Sequence, residues 1–286
     1  MNNLNGQVTG SPRAALEPFF FESGGRPLYG VYYPPTVAPT RATALVTCHS
    51  FGLEHTVPAR MLGLAARRAA MLGYPALVYH SRGHGDSAGD FAELTFETMV
   101  EDALAAAAQV AARSGARSIV WLGVRFGALV AAAASQRMPT TALALWEPAH
   151  RGNAFFRQLL RGLLFAQVAR GHNSGATVDQ LITRIEQEGK ADVHASYIHA
   201  KFYRSAVEVS LAALLDGWRG PTLLTQIQPR LNLAAEHSGL VKALESAGAR
   251  VTVANIRDDP GWQFWRPVWT SPALLDATGG WLNELA

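Results

Sequence analysis

The chain has 286 residues, 49% hydrophobic and 16% charged, a globular composition with enough apolar material for a sizeable core. The formal net charge is +3, and the Arg residues are scattered without basic runs or basic–aromatic motifs, which excludes a nucleic-acid footprint. Cys48 is the only cysteine, so an intramolecular disulfide is excluded and a reducing compartment is favoured.

The N-terminal stretch carries no recognisable targeting signal. Met1 to Pro18 lacks a basic region followed by an apolar one, and residues 1–15 are predicted to form a loose leader. No apolar run is long enough to span a bilayer. We therefore expect a cytoplasmic protein without a membrane span, and no feature of the sequence indicates an oligomeric state.

Short apolar strands alternate with helices in the first half of the chain. The runs Glu17–Ser23 and Leu28–Tyr33 flank Gly24-Gly25-Arg26-Pro27 and predict a hairpin. The alternation that follows predicts βαβ units and a mostly parallel sheet. The further predicted elements are strand Ala42–Cys48, helix Pro58–Leu72, strand Ala76–Tyr79, helix Thr95–Ala112, strand Ser118–Leu122, helix Phe126–Arg137 and strand Thr141–Trp146.

After Trp146 the pattern becomes helical, from Ala149 to about Gly217, with polar loops at 171–175 and 189–190. We therefore predict an α/β core of residues 1–148 and 218–286, interrupted by a helical cap of residues 149–217. The alternation then resumes with strand Thr222–Ile227, helix Ser238–Ala247, strand Arg250–Ile256 and helix Ser271–Leu285.

The most informative turn is Gly123-Val124-Arg125-Phe126-Gly127, which links an apolar strand directly to a small-residue helix. This G-x-X-x-G pattern resembles the nucleophile elbow of α/β-hydrolases, whose middle residue is Ser, Cys or Asp. Here the middle residue is Arg125, whose guanidinium stays protonated and cannot attack a carbonyl.

Two more turns resemble the same superfamily. Cys48-His49-Ser50-Phe51-Gly52 is similar to its His-Gly oxyanion loop, with Ser50 in place of the usual Gly, and the run 81–87, SRGHGDS, is similar to its R-G-H-G-x-S turn. The resemblance implies an α/β-hydrolase fold, with a mostly parallel central sheet flanked by helices. It also implies that the backbone N–H groups of Phe51 and Phe126 line an oxyanion hole.

The acid and base of the usual triad are missing from their expected places. The resemblance puts the acid after strand Thr222–Ile227, where the chain reads Gln228-Pro229-Arg230, and the His within 257–265, which contains none. Asp258 and Asp259 are interpreted as a solvated turn. Glu147, after the preceding strand, is a candidate for a displaced acid; the alternative is a turn contact or an ion pair with Arg125.

A narrower resemblance rests on three features: the Arg elbow, Leu145-Trp146-Glu147-Pro148 and Pro260-Gly261-Trp262-Gln263-Phe264-Trp265. Together they resemble the second hydrolase-like family associated with exosortase A systems, which accompanies bacterial exopolysaccharide loci. The resemblance implies a protein partner in such a system and supplies no substrate.

Three functional hypotheses follow. The first is a non-catalytic or repurposed protein that binds a ligand or partner, because all three triad positions are altered together. The second is an esterase- or thioesterase-like hydrolase of acyl compounds that uses displaced residues; its candidates are Cys48 or Ser50, His49 or His84, and Glu147.

The third hypothesis is a binding module in which Arg125, at a helix N-terminus, holds an anionic small molecule such as a carboxylate, phosphate or sugar acid. The structural alternative for Arg125 pairs it with an internal carboxylate, because an unpaired buried guanidinium would be costly. The candidate partners are Glu147, Asp86 and Glu101.

Histidines at neighbouring strand ends raise the question of a metal. His49, His80 and His84, with Asp86, lie where ligands of open α/β sheets bind, and such a set suits zinc in principle. No short fixed ligand spacing such as H-E-x-x-H is present. We therefore predict no metal site and no cofactor.

Overall fold

The computed structural model describes residues 16–169, 171, 175–192, 197–229, 232–259 and 269–285. The strands in these residues are β1 (Glu17–Ser23), β2 (Arg26–Tyr33), β3 (Thr43–Cys48), β4 (Ala76–Tyr79), β5 (Ser118–Val124), β6 (Thr140–Trp146), β7 (Lys190–Asp192), β8 (Tyr197–His199), β9 (Thr222–Ile227) and β10 (Val251–Ile256). The α-helices are α1 (Leu53–Thr56), α2 (Ala59–Met71), α3 (Phe96–Ser114), α4 (Gly127–Ser135), α5 (Gly152–Ala169), α6 (Val178–Glu188), α7 (Ala200–Ala206), α8 (Leu211–Leu214), α9 (Ala235–Ser246) and α10 (Pro272–Glu284).

Eight of the described strands form one sheet in the order β1-β2-β4-β3-β5-β6-β9-β10. Strand β2 runs antiparallel to both of its neighbours, and the pairs from β4 to β10 are parallel. The predicted hairpin and the predicted mostly parallel sheet are therefore confirmed. Because the carboxyl ends of the parallel strands meet at one edge, the loops after β3, β4, β5, β6 and β9 lie close together.

Helices cover both faces of the sheet, which explains why its central strands are nearly continuous apolar runs. Successive side chains of β5 point to opposite faces. Trp121 packs with the buried hydrophobic residues of α3 and α4. Val120 and Leu122 pack on the other face, with those of α2 and α10.

The described residues between β6 and β9 include four helices, α5 to α8, and a small antiparallel pair, β7 and β8. The prediction of a polar loop at 189–190 is wrong at its second residue. Gly189 ends α6 in a left-handed conformation, and Lys190 then begins β7 and pairs with His199. The division into core and cap stays a prediction.

Aromatic side chains from this region pack directly on the elbow. Phe155 of α5 lies 4.9 Å from the Phe126 ring, and Phe202 of α7 lies 5.5 Å from it, measured between ring centroids. The elbow is thereby covered by apolar contacts from the segment that follows β6.

The glycines of the elbow are required by close backbone approach. A Cβ on Gly127 would lie 2.1 Å from the carbonyl oxygen of Cys48, and one on Gly123 would lie 2.5 Å from that of Gly127. Every residue of α4 is buried and most are small, so the helix lies close to the sheet along its whole length.

No helix among the described residues is long and apolar enough to cross a membrane.

Gly127→Ala should destabilise the protein by about 3 kcal/mol, because the added methyl group must displace backbone rather than a flexible side chain. Gly280→Ala is the matched control: its Cβ meets nothing within 4 Å, so it should be neutral or stabilise α10 by up to about 1 kcal/mol. Urea denaturation measures both. Equal stability of the two variants would contradict the close approach at the elbow.

Candidate functional site

Arg125 lies in the sharp turn between β5 and α4, with φ 54°. A non-glycine residue in this left-handed region is strained and persists only where its surroundings hold it. The Arg125 N–H donates to Trp146 O at 3.0 Å, and its carbonyl accepts from Ala149 N at 3.1 Å. The end of β6 and the loop after it therefore hold the elbow in place.

The guanidinium of Arg125 forms an ion pair with Glu54 of α1. Its Nε donates to Glu54 Oε2 at 3.2 Å, and its Nη2 donates to Glu54 Oε1 at 3.3 Å. Arg125 is 5% exposed and Glu54 6% exposed. The charge at the nucleophile position is therefore matched by a buried carboxylate.

Two further acceptors lie around the same guanidinium. Nη2 donates to Oε1 of the exposed Gln158 on α5 at 2.7 Å, and Nη1 donates to the backbone carbonyl of Glu147 at 3.4 Å. Glu147 was one of three candidate carboxylate partners, and its carboxylate lies instead against the end of β9. The carboxylate partner is Glu54, which sequence reasoning missed.

The other two candidate partners of Arg125 pair elsewhere. Glu101 lies 3.6 Å from Arg82, and Asp86 lies 3.9 Å from His80. The signal that could have identified Glu54 is its position: an acidic residue directly after the loop that resembles an oxyanion loop.

Ser50 lies between Glu54 and the elbow. Its Oγ donates to Glu54 Oε2 at 3.0 Å and accepts from the Phe126 N–H at 3.4 Å. The Phe126 N–H is one of the two predicted oxyanion donors, and it faces this internal hydroxyl. Ser50 is fully buried, which does not favour a role as a nucleophile.

Cys48 ends β3 and is 1% exposed. Burial raises the pKa of its thiol to about 12, against a smaller opposite effect from the Tyr79 hydroxyl. Because the nucleophile in cysteine chemistry is the thiolate, these surroundings keep Cys48 in its unreactive form.

Four histidines form a cluster beside this site. His55 of α1 lies 4.5 Å from His49, 4.8 Å from His84 and 5.1 Å from His80 between ring centroids. His55, His49 and His84 are buried, and His80 is partly buried. The structure thus brings together His49, His80 and His84, as their strand-end positions predicted, and adds His55.

The histidine cluster is uncharged near neutral pH. Burial, with smaller effects of His80 and His84, lowers the pKa of His49 to about 3, and burial lowers that of His84 to about 4. Burial also holds the pKa of His55 well below its usual range. Within the described ranges, no three His, Cys, Asp or Glu side chains are placed to hold a metal ion.

Glu147 lies at the end of β6 with φ 42°. Its Oε2 accepts from the Ile227 N–H at 2.5 Å, and its Oε1 lies 3.7 Å from His237 Nε2. His237 Nδ1 in turn lies 2.6 Å from His150 Nε2. Sequence reasoning missed both histidines, because α9 meets β6 only through the tertiary fold.

The usual acid and base places hold no substitute in the part of the chain that is described. After β9 lie Gln228 and Pro229, and after β10 the Asp259 N–H donates to Asp258 Oδ1 at 2.8 Å, a local turn contact. Arg230 and the Trp-rich run 260–265 lie outside the described residues.

Arg125→Met and Glu54→Leu should each destabilise the protein by about 3–5 kcal/mol, because each leaves a buried charge unpaired. The double variant should lose much less than the sum of the two. Chemical denaturation of the four proteins measures this cycle.

The control cycle is the exposed pair Arg26–Glu93, where the side chains are 47% and 34% exposed. Removing either partner there should cost less than about 1 kcal/mol. Additive costs at Arg125 and Glu54 would contradict the buried pairing.

The histidine cluster predicts acid sensitivity. Its folded-state pKa values lie below the usual 6.5, so as pH falls through 6.5 towards about 4 the unfolded state binds more protons and the free energy of unfolding decreases. Each such imidazole contributes up to about 1.4 kcal/mol per pH unit. His84→Gln should reduce the dependence of the free energy of unfolding on pH in this range. Above about pH 8 the histidines should contribute no such dependence in either protein, because they are neutral in the folded and the unfolded state. An unchanged slope between pH 6.5 and 4 would count against the buried neutral cluster.

The sequence of residues 42–220, more than half of the chain, matches the serine aminopeptidase S33 family. The sequence matches no curated protein at a significant level.

Solved structures share the architecture over nearly the full chain. Est1E from Butyrivibrio proteoclasticus, solved with ferulic acid bound, has a TM-score of 0.64 at 16% identity, covering 93% of this chain and 96% of its own. The esterase Pf2001 from Pyrococcus furiosus has a TM-score of 0.63 at 14% identity, covering 95% and 90%.

Proline iminopeptidase from Mycobacterium smegmatis has a TM-score of 0.58 at 14% identity, covering 94% of this chain and 98% of its own. At these identities the likeness establishes the α/β-hydrolase fold, as predicted. With that fold and the match over residues 42–220, the chain belongs to the serine aminopeptidase S33 family of α/β-hydrolases.

Proposed function

We propose that this protein has lost Ser–His–Asp hydrolysis and that its pocket has been repurposed to bind a ligand or a protein partner. The observation that carries the proposal is the buried ion pair between Arg125 and Glu54 at the elbow. A protonated guanidinium cannot form an acyl-enzyme, and this one is fixed by a carboxylate where a serine hydrolase needs a free hydroxyl.

The surroundings of the elbow support the same proposal. The Ser50 hydroxyl faces the Phe126 N–H that would otherwise stabilise a developing oxyanion. Cys48 and Ser50, the candidate replacement nucleophiles, are both almost fully buried.

The biological setting follows from the narrower sequence resemblance. We propose a role beside an exosortase A system in bacterial exopolysaccharide or surface-protein processing, in the cytoplasm. This setting is supported by the run Leu145-Trp146-Glu147-Pro148. Within it, Glu147 has a strained left-handed backbone, with φ 42°.

An anionic ligand is a second candidate, and one contact favours it. Gln158 approaches Arg125 Nη2 with a neutral oxygen from an exposed position. A carboxylate or phosphate oxygen could take the place of this amide oxygen without breaking the Glu54 pair, whereas a ligand that displaced Glu54 would have to compete with a buried charge.

Wild-type protein should remain unlabelled by a fluorophosphonate probe and by iodoacetamide under native conditions, since no exposed nucleophile is activated at the elbow. Intact-protein mass spectrometry measures labelling, with the denatured protein as the positive control for Cys48. Native labelling that disappears in Ser50→Ala or Cys48→Ala would overturn the proposal and restore the displaced-residue hydrolase.

A further inference from the structure

A polar chain of three residues, Glu147, His237 and His150, lies next to the elbow. We propose that these residues form a proton relay that lets the protein hydrolyse small acyl esters by direct attack of water, with no acyl-enzyme. The inference rests on the proposed function, since it requires that the elbow supply no nucleophile.

The order of the relay follows from its distances. His150 Nε2 and His237 Nδ1 are 2.6 Å apart, so one N–H is shared between the two rings. His237 Nε2 faces Glu147 Oε1 at 3.7 Å and has no hydrogen-bond partner, although it is buried. When the imidazoles take up a proton, the carboxylate of Glu147, at the inner end of the relay, therefore lies near the positive charge.

The inner end of the relay is held rigidly. Glu147 Oε2 accepts the Ile227 N–H at 2.5 Å, which fixes the carboxylate at the end of β9. Glu147 and Arg125 are also the two non-glycine residues with positive φ among those described. Such strain, at the ends of adjacent strands, is found where a site needs a fixed geometry.

The outer end of the relay is accessible and close to the elbow. His150 is partly exposed, and the residue before it, Ala149, donates its N–H to the Arg125 carbonyl at 3.1 Å. This position lies at the carboxyl ends of β5 and β6, the edge where open α/β sheets bind ligands.

In the reaction, a water oxygen forms a bond to the acyl carbon while His150 accepts a proton from that water. The tetrahedral intermediate then collapses, the bond to the alcohol oxygen breaks, and the imidazolium returns its proton to the leaving alkoxide. The products are a carboxylic acid and an alcohol, and His150 is neutral again. His237 and Glu147 act as positioning residues: the His237 ring holds the tautomer of His150, and the Glu147 carboxylate offsets the transient charge.

Among the described residues, the charged and titratable groups that act on His150 are His237 from α9 and Arg125 from the elbow, and the Glu147 carboxylate after β6 faces His237. Burial, His237 and Arg125 lower the pKa of His150 to about 4, so it is a neutral base near pH 7. The hydrolysis rate should therefore rise with pH through about 4 and then reach a plateau.

The test is steady-state hydrolysis of p-nitrophenyl acetate by the full chain. We expect His150→Gln to lower kcat/KM by about 100-fold, the lower end of general-base contributions. His237→Gln and Glu147→Gln should each lower it by about 10-fold and shift the midpoint of the pH–rate profile, which a merely structural role would not do.

The matched control is His199→Gln, which removes an imidazole of β8 outside the relay. Its rate shows how much an imidazole elsewhere on the protein contributes to hydrolysis. Circular dichroism checks that each variant folds. Glu147→Gln keeps a side-chain oxygen that can accept the Ile227 N–H, so this variant retains the hydrogen bond to β9. Rates equal to those of His199→Gln in all three relay variants, or no hydrolysis by the wild type, would overturn the relay. Fluorophosphonate labelling would instead contradict the proposed function, so the two failures are distinguishable.

Discussion

The buried ion pair between Arg125 and Glu54 is the interaction on which the rest of the site depends. Both side chains are almost completely removed from water, so each carries a desolvation cost, and the opposite charge of the other offsets much of it. The pair orients Ser50 through Glu54, and Arg125 also contacts Gln158 on α5. The loop after β3, the elbow and the segment after β6 are joined through one pair of charges.

The scaffold around this pair is that of the family. Arg125 keeps the left-handed backbone of an elbow residue, and Gly123 and Gly127 keep the close approach of β5 and α4. What differs is the chemistry of one side chain and of the groups that meet it. A fold can thus retain the geometry that presents a nucleophile while presenting a cation.

Much of the fold could be predicted from the sequence because its central strands are buried on both faces. Ala76–Tyr79 and Thr222–Ile227 were predicted at their observed bounds, since such strands read as uninterrupted apolar runs. The pair β7 and β8 was missed, because strands of three residues are too short to carry a periodic signal. The elbow was predicted from its two glycines, whose spacing reflects a steric requirement.

The partners within the site could not be predicted, because they depend on tertiary contacts. Glu54 reaches Arg125 from a four-residue helix, and His237 reaches Glu147 from α9. Sequence position identified Arg125 and Glu147 as candidates but gave no information on which groups would face them.

The pairing of Arg125 with Glu54 is tested most directly by NMR of the arginine side-chain Nε–H groups. We expect one Nε–H resonance to exchange slowly with solvent, to be assigned to Arg125 by its loss in Arg125→Met, and to shift in Glu54→Gln. Exchange of the Arg125 Nε–H as fast as that of the exposed Arg60, with no response to Glu54→Gln, would contradict it.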